Sequence, residues 1–120
     1  MRAAGFRIPV SDLTLAVAFY RDELGFIVAF QAEAFGWATI VRDGLQLGLY
    51  VPGKGGGTRA PGGTLDFAIH VADLDGLHHE FASVDGRGAV VETADGMRLF
   101  DVVDPSGNTI TFAQDAAGAV

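Results

Sequence analysis

The sequence contains no cysteine, which excludes disulfides, thiol nucleophiles and thiolate metal sites together. Basic residues are also scarce: eight Lys and Arg stand against fifteen Asp and Glu, a formal charge of −7. Nucleic-acid binding needs clustered cations to neutralise phosphates, so that class is not expected. No apolar run reaches the roughly 20 residues of a membrane span. The opening "MRAAGFRIPV" lacks the apolar centre of a signal peptide. The expectation is a cytoplasmic protein with neither nucleic acid nor membrane as partner. Charged residues make up 19% of the chain and hydrophobic ones 49%. That balance belongs to a folded chain, and 120 residues suffice for one domain with a real core.

One break interrupts the pattern. "PGKGGGTRAPGG" at 52–63 is dominated by glycine and proline and reads as a flexible connector. It divides the chain into a first module over about 5–51 and a second over about 64–114, with a short tail at 115–120. The two modules resemble each other. Val10-Ser11-Asp12-Leu13 matches Val71-Ala72-Asp73-Leu74, Gly25 matches Gly86 at the same offset, and the turn glycine Gly44 matches Gly107. Such an internal repeat implies two copies of one structural unit.

Each module reads as strand, helix and three strands. "FRIPV" (6–10) leads to Asp12 as N-cap of a helix over 13–24, whose face carries Ala16, Phe19, Tyr20 and Leu24 and which Gly25 stops. "TLDFAIHV" (64–71) leads to Asp73, then to a helix with Leu74, Leu77, Phe81 and Val84 on one face, stopped by Gly86. Strand-like runs follow at 26–32, 36–43 and 45–51, then at 88–93, 97–104 and 108–114. The last pair is joined by "DPSGN", a turn in which Pro105 presets φ, Gly107 supplies a positive φ and Asp104 bonds nearby backbone. The fold class is α+β: two tandem βαβββ modules with curved, cup-shaped mixed sheets and the helices outside.

The stretches "PVSDLTLAVAFYRDELGF" (9–26), "HVADLDGL" (70–77) and "GMRLFDVVDPSGNTITF" (96–112) carry a more specific signal. With them the sequence resembles the vicinal oxygen chelate superfamily, which includes glyoxalase I, extradiol dioxygenases and bleomycin-resistance proteins. The last stretch looks most like the bleomycin-resistance branch. That resemblance implies a homodimer that binds a small molecule in a concave cleft. It also implies where metal-using members keep their four ligands: here those positions hold Gly5, Gly48, Asp66 and Thr111. A divalent ion needs about three protein donors, and only Asp66 is a competent one. No metal, cofactor or catalytic residue is therefore expected. A displaced Asp66–His70–Gln46 site is the metal-using alternative, and it would make the protein a lyase, isomerase or dioxygenase.

Strand alternation identifies the side chains that face the cup. Leu65, Phe67 and Ile69 form the oily set of their strand, leaving Asp66, Ala68 and His70 inside. Leu45, Leu47 and Leu49 turn to the helix, leaving Gln46, Gly48 and Tyr50 inside. Trp37 and Thr39 share that interior, as do Leu99, Asp101, Thr109 and Thr111. The candidate ligand-binding set is Trp37, Thr39, Gln46, Tyr50, Asp66, His70, Leu99, Asp101, Thr109 and Thr111. Aromatic faces with carboxylates suit an aromatic, cationic compound, sequestered without being altered. Other features have plainer readings. His78 and His79 are adjacent on a helix, cannot share an ion and suit a solvated rim. "GKGGG" lacks the Ser or Thr and the helix of a phosphate loop. Ser11, Ser83 and Ser106 have no His and Asp arranged to activate them. A family member retained only for assembly is the third reading.

Overall fold

The computed structural model describes residues 6–114. The chain divides into two compact units, whose described parts are 6–62 with 105–107, and 63–104 with 108–114. The first contains β1 (Phe6–Pro9), α1 (Leu13–Ala18), β2 (Ile27–Ala32), β3 (Trp37–Arg42) and β4 (Leu45–Tyr50). Along the chain of the second run β5 (Gly63–His70), α2 (Leu74–Glu80), β6 (Val91–Glu92), β7 (Arg98–Val103) and β8 (Asn108–Gln114). Each repeat builds one four-stranded sheet, ordered β1-β4-β3-β2 and β5-β8-β7-β6. In both, the first strand pairs parallel with the last and the remaining pairs are antiparallel. The expected α+β class with two tandem βαβββ modules is what the chain adopts. Among the described residues no helix is long and apolar enough to cross a membrane.

The helix starts follow their caps. Asp12 accepts the Leu15 N–H at 3.0 Å and Asp73 accepts the Gly76 N–H at 3.0 Å, each satisfying a donor the first turn leaves open. The first helix differs from the expected regular span over 13–24. After Ala18 it widens into a π-turn over Phe19–Glu23, with the Leu24 N–H reaching the Phe19 carbonyl at 3.2 Å. Both Phe19 and Tyr20 are buried there, with their rings edge to face at 5.4 Å. Gly25 then turns at φ 75°, the left-handed stop that glycine adopts without steric cost.

Gly86 does something else, which corrects the reading of the two glycines as equivalent stops. Helix α2 already ends at Glu80, and Gly86 lies against β7, where an added Cβ would sit 2.5 Å from the Val103 carbonyl oxygen. The Val103 N–H donates to the Gly86 carbonyl at 3.0 Å. This close approach requires the missing side chain. The expected strand at 88–93 contracts to Val91–Glu92, with an isolated bridge between Arg87 and Val102.

The second core is largely aromatic. Phe100 and Phe112 stack at 5.3 Å, and Phe81 meets Phe112 edge on at 5.6 Å. All three are buried, each contributing about 1.5–3 kcal/mol relative to exposure. His78 joins this cluster instead of taking the expected solvated rim. Its ring packs edge on against Phe100 at 4.8 Å, and its Nε2–H donates to the Gly88 carbonyl at 2.9 Å. An exposed bidentate pair, Arg98 to both Asp75 oxygens at 2.8 and 2.9 Å, ties α2 to β7.

Candidate functional site

The open face of the first sheet is set by its register. Trp37 lies opposite Tyr50, Thr39 opposite Gly48 and Val41 opposite Gln46, so Trp37, Thr39, Gln46, Gly48 and Tyr50 share one side. Their buried neighbours Ala38, Ile40, Leu47 and Leu49 take the other side. Arg7 joins the open face through its parallel pairing with Gly48.

Trp37 and Gly48 fit together closely. A Cβ on Gly48 would sit 2.5 Å from Trp37 Cζ2, so the indole occupies the space a side chain there would need. The indole N–H donates to Thr39 Oγ1 at 2.9 Å, which holds the ring in one orientation. The glycine run at 53–57 folds back over this pair. It closes on itself through the Gly53 N–H and the Gly57 carbonyl at 2.9 Å. Added side chains at Gly56 and Gly57 would come within 2.7 Å of Tyr50 Cβ and 2.6 Å of Tyr50 Cε2 respectively. Composition alone reads this run as a connector; in the fold it is a close-packed cover. Tyr50 is therefore only 5% exposed, while Trp37 stays half-buried and accessible.

Beside the indole lies a hollow of about 490 Å³, lined by Arg7, Phe35, Trp37, Lys54, Gly55 and Gly56. Its size is within the range of small-molecule sites. The Arg7 guanidinium is held at its rim by a 2.6 Å hydrogen bond from Nη1 to the Gly56 carbonyl and lies 6.0 Å from the Tyr50 ring centroid. Of the expected site residues only Trp37 lines this hollow. Arg7, Phe35 and Lys54 are not among the expected ones. Alternation along 6–10, with Ile8 and Val10 buried, was the signal that could have placed Arg7 on the open face.

Thr39, Gln46 and Tyr50 lie on the first sheet outside this hollow, and the other expected residues lie on the second sheet. Thr109 lies opposite Val103 and Thr64, Thr111 opposite Asp101 and Ala68, and Ala113 opposite Leu99 and His70. The Thr111 hydroxyl donates to Asp101 Oδ1 at 2.7 Å. Asp66, Ala68 and His70 are exposed and alternate with buried Leu65 and half-buried Phe67 and Ile69. Pairing with β8 is irregular between Thr64 and Ala68, so Asp66 projects from a bulged stretch, a device that re-aims side chains. Together these residues make an acidic, hydroxyl-bearing surface.

The donor set does not fit a divalent metal. The Trp37 indole fills the space a side chain on Gly48 would need, the Thr111 hydroxyl donates to Asp101, and Gly5 lies outside the described residues. Among the described residues no cluster of three or more His, Asp or Glu side chains could hold an ion.

Two βαβββ units, the first with a ligand-sized hollow beside its sheet, define a protein of the paired-module class. The chain belongs to the Glyoxalase/Bleomycin resistance protein/Dioxygenase superfamily, whose family model matches residues 2–112. Among solved structures it resembles a member of that superfamily from Sphaerobacter thermophilus DSM 20745, with TM-score 0.79 and 24% identity over 96% of this chain and 98% of that one. A lactoylglutathione lyase from Agrobacterium tumefaciens matches with TM-score 0.80 and 17% identity over 100% and 98%. A bleomycin-binding protein complexed with bleomycin matches with TM-score 0.75 and 22% identity over 96% and 99%. At these identities the likeness establishes the fold. No curated protein matches the chain.

Proposed function

We propose that the protein binds a small aromatic molecule without a resident metal and releases it unaltered. The observation that carries this reading is the Trp37 indole filling the space a side chain on Gly48 would need, at a position where the resemblance implies a ligand in metal-using members. A position that supplies a donor in metal-using members here supplies a stacking surface. The bleomycin-binding neighbour supports a sequestering role for a fold of this kind. The second sheet by itself carries Asp66 and Asp101, which suit an organic cation, each charge-assisted contact contributing about 1–3 kcal/mol. The proposal includes a homodimer, as the resemblance to bleomycin-resistance proteins implies, and a cytoplasmic location.

A thermal-shift screen of cationic aromatic compounds, with bleomycin first, tests this reading. Saturable stabilisation that weakens in Asp66→Asn and Asp101→Asn supports it. Ligands that bind both variants as they bind the parent would show that these carboxylates are only solubility groups.

A further inference from the structure

The hollow beside Trp37 has a charge opposite to that of the rest of the protein. In a chain of formal charge −7, its lining includes Arg7 and Lys54, two aromatic rings and no described carboxylate. We propose that this hollow is an anion-selective subsite for an aromatic carboxylate. The ring of the ligand stacks on Trp37 and Phe35, and its carboxylate meets the two cations.

Several features support this selectivity. Phe35 is 68% exposed, so its ring is open to a ligand in the hollow. The Arg7 fork is fixed in place by the Gly56 carbonyl, which uses one of its five N–H donors and leaves a planar array suited to a carboxylate. Lys54 is anchored by its stem, because Gly36 lies so close that an added Cβ there would sit 3.0 Å from Lys54 Cδ. Its ammonium makes no ion pair among the described residues. Two cations held near aromatic rings without a carboxylate partner among the described residues repel a cationic ligand and attract an anionic one.

The inference takes from the proposed function only that the first sheet binds a small molecule. It is independent of whether Asp66 and Asp101 bind a cation on the second sheet. The single tryptophan makes the hollow directly observable by fluorescence. Hydrocinnamate, its neutral amide and phenylpropylamine share a ring and differ in charge. Titrated against the protein at fixed ionic strength, hydrocinnamate is expected to change Trp37 emission saturably. The amide is expected to bind about tenfold more weakly and the amine more weakly still. Lys54→Gln, which retains the stem and leaves the Arg7–Gly56 contact in place, should weaken hydrocinnamate several-fold without moving the melting temperature. Arg7→Gln should weaken it at least as much. The proposal is overturned if the amide or amine perturbs Trp37 as tightly as the carboxylate, or if both variants bind it unchanged. An amine response abolished by Asp66→Asn but not by Lys54→Gln would support the second-sheet reading while refuting this one.

Discussion

Gly48 and Trp37 share one volume on the first sheet: the ring fills the space a side chain on Gly48 would need, at 2.5 Å from Cζ2 to the place of a Cβ. This contact joins the fold to the proposed function. A strand that must lie flat beneath an indole cannot carry a metal ligand at that point, and the ring so held is available as a surface for another ring.

The contact predicts the effect of a single methyl group. Gly48→Ala should displace the indole and cost about 1–3 kcal/mol, as overpacking usually does. Denaturant unfolding followed by Trp37 emission checks both the cost and the altered environment. An alanine variant with parental stability and an unshifted emission maximum would contradict the packing described.

The turn between β7 and β8 is expected to be a stability element. The Asp104 carboxylate accepts the backbone N–H of Asn108 at 2.9 Å and its side-chain amide at 2.9 Å, with the two residues 4% and 0% exposed. Asp104→Ala should cost about 1–3 kcal/mol by leaving buried donors unpaired. Gly107, at φ 82°, should lose about 1–2 kcal/mol on replacement by alanine, because a Cβ is strained in that conformation. Both variants should leave ligand affinity close to parental, which calorimetry can verify.

A third prediction concerns acid. The hydrogen bond from Arg98 holds the Asp75 carboxyl below its ordinary value. A carboxylate whose folded pKa is depressed adds stability above its unfolded value, near about 4, and loses it as pH falls through the folded value. Asp75→Asn should therefore melt slightly below the parent at neutral pH, with the gap closing below about pH 4. The pair is exposed, so added salt should narrow the gap as well. Melting curves across pH and salt provide the check, and a gap that widens in acid would reverse the assignment.

Much of this architecture was legible in the residues. The repeat predicted two similar units, and Asp12 and Asp73 predicted the helix starts. Alternation along 108–112 separated buried Ile110 and Phe112 from Thr109 and Thr111, although Ala113, expected on the open face, is buried. The departures have specific physical causes. Gly25 and Gly86 look alike in sequence, but one needs a left-handed φ and the other a bare backbone against Val103, and a letter does not distinguish the two demands. The two large rings Phe19 and Tyr20 are both buried on a helix that widens there, and helical periodicity does not reveal such widening. Gly56 and Gly57 read as flexible because close packing against Tyr50 depends on tertiary contacts formed after the chain turns back. Lys54 was hidden for the same reason, since it lies inside that glycine run, whereas the alternation of Arg7 with buried Ile8 and Val10 did mark it for the open face.

The central claim is that binding needs the indole and no metal. Its most direct test is a calorimetric titration of an aromatic ligand selected by screening, performed on protein dialysed against a strong chelator and on Trp37→Ala. The account predicts that the chelated parent binds with unchanged affinity and that Trp37→Ala binds about tenfold or more weakly, as loss of an aromatic contact implies. Loss of binding on chelation, restored by about one equivalent of a divalent metal per chain, together with parental affinity in Trp37→Ala, would contradict it.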